Sequence, residues 1–499
     1  MKNTDAREDG RHLLIEVNVL YLGVDMGTSS IKATLLDEKG NIAGRSRVES
    51  VVVSPEEGFF EVEAEKNWWL GFRKALESIC IDNDVKRIKA LCISSVCGTF
   101  VPVDNELRPL YNAILYGIDT RATDQIERLN SSFGKEYLKN HLGGEFTTHS
   151  VIPKTLWLKE NRREIYEKTF RFVESNNFVS GRLTGKTAWD FPTAAGTRLL
   201  DFETQGLPRE IIRKAGLDES KFPCLSWPLS IVGSVKASSS RETGLKEGIP
   251  VVAGACDING EAMACGGINP GDLVVVFGST TSTLFTTKGF HILDGFAPGV
   301  SVLEGTFRLG AATSSGGRFV GWIKDLLQSE ITGEKDEGPT GIIILPYIDG
   351  ARAPYDNPSA RGVVFGLQKT DDRNKIFKAS LESLGYEIDL LIRKLETVSN
   401  VPNNIHVLGG MAASRLLLQI VANITGRELH VHGDIDASYG DAIMAMTADH
   451  AYSDIAKLDS VKEQRGKAIR ISPDPELHTK YRVFSQKYET LYYSVKDIF

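Results

Sequence analysis

Two segments far apart in the chain repeat one local pattern: an apolar strand, a glycine, a cluster of hydroxyl residues and a second strand. The first turn consists of Gly27, Thr28, Ser29 and Ser30, and the second of Gly278, Ser279 and Thr280. Glycine lets the backbone turn tightly and approach a ligand, while hydroxyls and backbone amides donate hydrogen bonds to phosphate oxygens. Both segments are therefore predicted to be phosphate-binding hairpins, and their repetition indicates domain duplication with two facing lobes.

Asp25 stands beside the first turn, at the end of the predicted strand that leads into it. Mg²⁺ prefers oxygen ligands and keeps much of its hydration shell, so this carboxylate is placed to hold the ion directly or through water. A simpler alternative, in which Asp25 only caps a turn between two strands, stays open on these residues alone.

Length and composition limit the classes of protein that fit. A chain of 499 residues is too long for one hydrophobic core and indicates two or three domains. The formal net charge of -7 argues against nucleic-acid binding, which depends on clustered Lys and Arg. The longest apolar runs have the length of strands, far below the roughly 20 residues that a membrane helix needs, so no membrane partner is expected.

The cysteines and the N-terminus point to the cytoplasm. None of the six cysteines forms a Cys-x-x-Cys pair, and the histidines show no ligand spacing, so neither a zinc site nor a disulfide framework is indicated. The first residues mix acidic and basic side chains, unlike the basic start of a secretory signal. We expect a cytoplasmic protein in which residues 1–20 form an N-terminal tail.

Alternating strands and helices predict a sheet covered by helices. Three strands are expected over residues 21–53, followed by an amphipathic helix over 64–80 whose tryptophans belong to the core and not to a cofactor site. A new strand after Pro250 indicates the start of a second lobe. The chain is therefore predicted to divide into lobes 21–250 and 251–499.

Asp257 follows a short predicted strand and opens a predicted helix. Phosphoryl transfer to an alcohol requires a carboxylate that accepts the hydroxyl proton, and a helix start also directs amide donors toward an anion. Asp257 is therefore the candidate general base. An aspartate that only caps the helix is the alternative, and the residue alone does not decide between them.

Two further segments carry candidate binding residues. Asp119 and Arg121 could orient a polyol, although an Asp-x-Arg step is often a plain salt bridge on a loop. The turn at Gly409 and Gly410, followed by Met411, allows the close backbone approach that suits a nucleotide base or ribose. Tight turns without a ligand are equally common.

Together these segments resemble the FGGY carbohydrate kinases, of the superfamily that also holds actin and the heat-shock chaperone ATPases. The stretch 361–367, with 379–382 after it, is similar to the family's C-terminal signature and departs from it chiefly at Lys375. The segment 153–161 looks like the N-terminal signature, and the ending 488–499 resembles the family's last helix. The resemblance covers nearly the whole chain.

The resemblance implies an α/β protein with two ribonuclease-H-like lobes and a central cleft, the first lobe on the sugar side and the second on the nucleotide side. Asp257 falls on the family's catalytic base, Asp25 on its magnesium-linked aspartate, and Gly409, Gly410 and Met411 on its adenosine loop. The residues implied on the substrate side are Cys97, Gly98, Asp119, Arg121, Asp257 and Asn259. The implied cofactors are ATP and Mg²⁺, the implied partner is a sugar or polyol, and a homodimer is one possible assembly.

One departure from the family concerns the substrate. Xylulose kinases of the family carry Gln-Met-His-Gly after the strand near residue 94, and glycerol kinases carry Arg-Glu there, whereas this chain has Ser95-Val96-Cys97-Gly98-Thr99. Glycerol is therefore disfavoured, and a ketopentose such as xylulose is the expected substrate, with altered contacts. The alternatives are a kinase for another polyol or a sugar acid, and a catalytically weak sugar or nucleotide sensor that uses the same cleft.

Overall fold

The computed structural model describes residues 19–80, 83–328, 335–399, 402, 404–433, 435–449 and 468–499. Of the predicted tail 1–20, residues 1–18 lie outside the described residues, and Leu20 already belongs to the first strand. No helix in these described ranges is long and apolar enough to span a bilayer.

The strands are β1 Leu20–Met26, β2 Ser30–Asp37, β3 Ile42–Glu49, β4 Glu61–Val62, β5 Ile88–Ser95, β6 Phe100–Val103, β7 Ala113–Ile114, β8 Arg171–Glu174, β9 Ala188–Asp190, β10 Cys224–Ser226, β11 Ile231–Ser234, β12 Pro250–Val252, β13 Asp272–Phe277, β14 Thr281–Thr287, β15 Ala297–Val300, β16 Phe307–Ala312, β17 Ile343–Leu345, β18 Val363–Phe365, β19 Asn404–Leu408, β20 Leu429–Val431 and β21 Ile469–Ile471. The α-helices are α1 Leu70–Ile79, α2 Thr123–Phe133, α3 Lys135–Leu142, α4 Val151–Asn161, α5 Arg163–Lys168, α6 Ser175–Thr184, α7 Phe191–Gly196, α8 Arg209–Lys214, α9 Ala237–Thr243, α10 Asp257–Ala264, α11 Gly317–Leu327, α12 Arg373–Leu395, α13 Arg415–Thr425, α14 Ala437–Asp449 and α15 Pro475–Val495.

Six strands form the first large sheet, in the order β11-β12-β5-β1-β2-β3. Strands β1, β2 and β3 are antiparallel neighbours, which confirms the three strands predicted for residues 21–53, and β5 runs parallel to β1. The predicted helix over 64–80 is a π-helical turn, Glu65–Trp69, continued by α1, and Trp68 and Trp69 are buried in the core as predicted.

Strand β12 corrects one prediction. The sequence predicts this strand at the start of the second lobe, but it is hydrogen-bonded parallel to β5 and lies in the first sheet. A proline at the first position of a strand marks where the strand begins. It carries no information on the sheet that the strand joins, because pairing partners are set by tertiary contacts.

Seven strands form the second large sheet, in the order β15-β16-β14-β13-β19-β20-β21. Strands β13 and β14 are an antiparallel hairpin, and β19 runs parallel to β13. Strands β1, β2 and β5 have the same arrangement in the first sheet. The topology thus confirms the duplication predicted from the two hydroxyl turns.

Helices α10 and α14 connect the two sheets. Helix α14 comes late in the sequence, yet it packs on β1, β2 and β5 of the first sheet as well as on α10. Buried side chains of both helices and both sheets, among them Met263, Val274 and Ala442, form one hydrophobic cluster. The lobes therefore share a core at this helix pair.

The two helices touch through their backbones at Gly260 and Gly440. A Cβ atom on Gly440 would lie 1.8 Å from the carbonyl oxygen of Gly260, and one on Gly23 of β1 would lie 2.0 Å from the carbonyl oxygen of Ser438. Because a close-packed backbone cannot yield at such distances, the crossing needs glycine at these positions.

Replacing Gly440 by alanine is expected to destabilise the protein, since the helices must separate to admit the methyl group. Overpacking of a core costs typically about 1–3 kcal/mol, so the melting temperature should fall. Thermal unfolding of Gly440→Ala beside a matched Gly321→Ala variant tests this. A Cβ on Gly321, in α11, meets no atom within 4 Å, so this control should melt no lower than the original protein. Equal losses in both variants would contradict the packing argument.

Candidate active site

A cleft with a volume of about 880 Å³ is lined by residues of both lobes. The sequence-predicted residues in its lining are Asp25, Gly27, Thr28, Ser29, Ser30, Asp257, Gly278, Ser279, Gly410 and Met411. Thr280 and Gly409 belong to the same turns but do not line the cleft. The fold thus brings the two hydroxyl turns and two carboxylates to one place, although they lie in different halves of the sequence.

Backbone hydrogen bonds close each hydroxyl turn. The N–H of Gly27 donates to the carbonyl oxygen of Ser30 over 3.1 Å, and the N–H of Gly278 donates to that of Thr280 over 3.0 Å. Helix α11 starts directly against the second turn, where the N–H of Gly317 donates to the carbonyl oxygen of Gly278 over 2.8 Å. The N-terminus of α11 therefore lies beside the cleft, where helix amides favour an anion.

Sequence reasoning missed several residues that line the cleft, among them Arg47, Glu261, Gly317 and Arg318. A signal existed for two of them. Glu261 follows Asp257 by four residues, the spacing that places two side chains on one helix face. Gly317 follows a run of hydroxyl residues and opens an apolar helix, which is typical of a helix start beside a ligand.

Acidic side chains crowd around Lys32 in the cleft. The Nζ atom of Lys32 lies 3.6 Å from Oδ2 of Asp25 and 3.5 Å from Oδ2 of Asp436. Burial, with the nearby charge of Asp257, raises the pKa of Asp25 to about 7. Burial, with Asp257 and Asp25, raises the pKa of Glu261 well above its ordinary value. Burial and mutual repulsion outweigh the effect of Lys32 on Asp25 and Glu261, so a divalent cation beside these carboxylates would stabilise their charged forms.

Asp25 fits the role of a magnesium ligand. It is the second-last residue of strand β1, where it faces Lys32 across the β1–β2 hairpin. Asp25 is 6% exposed, and its Oδ1 atom is buried without a hydrogen-bond partner among the described residues. A carboxylate that lines the cleft and has an oxygen without a hydrogen-bond donor is the ligand type that Mg²⁺ takes.

Asp257 begins helix α10 and is partly exposed in the cleft. Its Oδ1 accepts a hydrogen bond from the N–H of Ile258 over 2.8 Å. Burial raises the pKa of Asp257, while the Ile258 amide, Arg308 and Lys32 act to lower it. The carboxylate is thus directed by the helix start toward the cleft and is not enclosed in the core.

The other predicted substrate residues lie next to the cleft and are more enclosed. The thiol of Cys97 lies beside that of Cys256, the residue before Asp257. Gly98 is buried, and its N–H donates to the carboxylate of Glu174. Asn259 is fully buried, and its Oδ1 accepts a hydrogen bond from Nη1 of Arg308 over 2.8 Å. Of Cys97, Gly98 and Asn259, only Cys97 is partly exposed.

Asp119 and Arg121 do not line the cleft. Their side chains are fully buried, with Nη2 of Arg121 2.8 Å from Oδ2 of Asp119 and Nη1 2.9 Å from Oε1 of Glu61. The guanidinium also stacks over the ring of Phe59, 4.2 Å from its centroid. This geometry favours the salt-bridge alternative over sugar contact, because Asp119 and Arg121 are paired with each other, and Arg121 also with Glu61, inside the protein.

Comparisons with known proteins identify a family. Two family models match, described as the N-terminal and the C-terminal domain of the FGGY family of carbohydrate kinases, over residues 20–264 and 273–448. The xylulose kinase of Escherichia coli strain K12 is 24% identical over 460 residues, which are 88% of this chain and 92% of that protein.

Two solved structures share the fold. A xylulose kinase from Rhodospirillum rubrum has a TM-score of 0.87 at 21% identity, over 96% of this chain and 99% of that chain. A gluconate kinase from Lactobacillus acidophilus has a TM-score of 0.85 at 19% identity, over 96% of this chain and 98% of that chain. These matches confirm the predicted α/β fold of two ribonuclease-H-like lobes with a central cleft.

Proposed function

Since the chain belongs to the FGGY family of carbohydrate kinases, we propose that it phosphorylates a ketopentose such as xylulose with ATP. The observation that carries this proposal is the convergence of Asp257, Asp25 and both hydroxyl turns on one cleft. Relatives and structural neighbours that are xylulose kinases support the choice of a ketopentose.

Asp257 is the proposed general base. A sugar hydroxyl oxygen attacks the terminal phosphorus of ATP, the bond from that phosphorus to the leaving oxygen of ADP breaks, and the hydroxyl proton passes to Asp257. The raised pKa of this carboxylate makes it a stronger proton acceptor than an exposed aspartate. The hydroxyls and amides of the two turns, with the start of α11, would hold the phosphate oxygens and their developing charge.

Asp25 is the proposed magnesium ligand, directly or through water, with the neighbouring carboxylates adding negative potential. Bound Mg²⁺ supplies positive charge at the phosphate oxygens. Gly410 and Met411 line the same cleft and are assigned to the adenosine side. We place the sugar on the first-lobe side, next to Cys97 and Asp257, and the nucleotide on the second-lobe side.

A sugar acid is the second candidate substrate, favoured by two arginines: Arg308 near the proposed base and Arg198 near Cys97. The positive charge of Arg308 lowers the pKa of Asp257. The guanidinium does not bond to that carboxylate, however, and donates its hydrogen bonds to Asn259, to the Cys256 sulfur and to a backbone carbonyl. Arg198 donates only to backbone carbonyls. Neither arginine forms an ion pair with a carboxylate in the part of the chain that the structure describes.

Further positive charge lies in the same region. Burial, together with Lys154, Arg352 and Arg198, lowers the pKa of His149 to about 4. Lys154 is itself buried and donates to two backbone carbonyls, with its pKa lowered by burial to about 7. Because His149 is then neutral near neutral pH and Lys154 is enclosed, Arg198 and Arg352 are the cations here that a substrate carboxylate could use and that an uncharged ketopentose leaves unused.

Acceptor specificity distinguishes the two candidates. Substrate-stimulated ADP release, measured with ketopentoses, polyols, glycerol and aldonic acids, should give the highest kcat/KM for a ketopentose under the first candidate. An aldonic acid as best acceptor, with a KM that rises at least about tenfold in Arg308→Gln, would establish the second. ADP release that no acceptor stimulates would contradict both.

Asp257→Asn is expected to keep the fold and ATP binding while kcat falls by several orders of magnitude, because the amide cannot accept the hydroxyl proton. Steady-state kinetics and nucleotide titration measure the two effects separately. Asp294→Asn serves as the matched control, since its carboxylate is 94% exposed and lies outside the cleft. Near-normal turnover in Asp257→Asn would remove this residue from the mechanism.

Asp25→Ala is expected to raise the Mg²⁺ concentration needed for half-maximal activity by about tenfold or more, because an ion loses a carboxylate ligand. The magnesium dependence of the rate at saturating ATP measures this, with Asp294→Ala as the control. An unchanged magnesium midpoint in Asp25→Ala would count against the assigned role.

A further inference from the structure

Three side chains with metal-binding atoms meet at the C-terminal end of helix α10, away from the cleft. Cys265 directly follows the last residue of the helix, His406 lies on β19, and His432 directly follows β20. One ligand atom of each side chain lies within 4.8 Å of the other two. The residues are 0%, 1% and 4% exposed, respectively, so the cluster is closed to solvent.

The local fold forces these groups together. Strands β19 and β20 are parallel neighbours, and the N–H of His432 donates to the carbonyl oxygen of Val407. Nδ1 of His406 and Nε2 of His432 are 3.0 Å apart. A Cβ atom on Gly267 would lie 3.1 Å from Cδ2 of His406 and 3.2 Å from the sulfur of Cys265. Glycine at this position therefore leaves room for the thiol and the imidazoles to converge.

The donor set selects the class of ion. A thiolate with two imidazoles suits Zn²⁺, whereas Mg²⁺ and Ca²⁺ require oxygen ligands. Zn–N and Zn–S bonds of about 2.0–2.3 Å place tetrahedral ligand atoms roughly 3.3–3.7 Å apart. The observed separation of the two ring nitrogens is slightly below this range, so small ring rotations would admit an ion.

We propose that Cys265, His406 and His432 bind one Zn²⁺ in a buried site, with a water molecule that enters with the ion as the fourth ligand of a tetrahedral centre. The site is distinct from the magnesium site proposed at Asp25, since it uses sulfur and nitrogen donors and lies at the opposite end of α10 from Asp257. Its ligands come from segments far apart in the sequence. This is why the cysteine and histidine spacings indicate no zinc site, although the fold assembles one.

The ion would link α10 to the second sheet. Helix α10 begins with Asp257, and the proposed ligand Cys265 caps its C-terminal end. Zinc binding would fix that end against β19 and β20, and thereby hold the helix that carries the proposed base. Metal removal should therefore lower the thermal stability, because an ion that binds only the folded protein stabilises it.

Metal content and the cobalt spectrum test the site in the intact protein. Protein produced with added Zn²⁺ and washed with a weak chelator should retain about one equivalent of zinc by elemental analysis. After zinc removal, Co²⁺ should give a thiolate-to-cobalt charge-transfer band and the visible bands of a tetrahedral ion, and Zn²⁺ should abolish both. These readouts do not depend on kinase activity.

Variants locate the ligands. Cys265→Ser and His432→Gln should each abolish the thiolate band or reduce zinc retention to about a tenth of an equivalent or less. Cys80→Ser and His430→Gln are matched controls, since Cys80 lies at the end of α1 and His430 precedes His432 by two residues without belonging to the cluster. Both controls should bind zinc as the original protein does.

Zinc retention well below one equivalent in the original protein would overturn the proposal. Cobalt binding without a thiolate band would also overturn it, because the ion would then sit on carboxylates or surface histidines. Zinc retention that survives in both ligand variants would do the same. The cobalt spectrum of the original protein needs no substitution, so the test holds even if a variant fails to fold.

Discussion

Helices α10 and α14 cross in backbone contact at Gly260 and Gly440, and this crossing positions the carboxylates of the cleft. The contact leaves no side chain between α10 and α14, and each helix packs into the core that the two sheets share. Asp257 is the first residue of α10, and Asp436 immediately precedes α14. The crossing therefore delivers both acidic helix starts to the β1–β2 hairpin, where Lys32 meets Asp436.

This arrangement concentrates negative charge where a nucleotide would bring more. Burial and mutual repulsion raise the pKa values of Asp25 and Glu261, with Lys32 as the neighbouring cation. Without a counterion the negative charges of these carboxylates repel one another, and a divalent cation would offset that repulsion. Burial, and not repulsion, raises the pKa of Asp257, so the proposed base and the proposed magnesium ligand depend on the same enclosed cleft but on different local charges.

The sequence was informative where function depends on local chain geometry. Glycine followed by hydroxyl residues predicts the phosphate-binding turns, and a carboxylate at a strand end or helix start marks Asp25 and Asp257. Features made by tertiary packing were not predictable in this way. The sheet that β12 joins is one example, and the burial of Arg121 against Asp119 is another. The cluster of Cys265 with two histidines is a third, because its residues are too far apart in the sequence for their spacing to predict it.

The central claim is that a sugar hydroxyl meets the terminal phosphorus of ATP between the two hydroxyl turns. A crystal structure with Mg²⁺, a non-hydrolysable ATP analogue and the best acceptor tests it most directly. We predict the γ-phosphate between the turns at Gly27 and Gly278, with a carboxylate oxygen of Asp257 within hydrogen-bond distance of the acceptor hydroxyl. A nucleotide bound outside this cleft, or an acceptor out of reach of Asp257, would contradict the account.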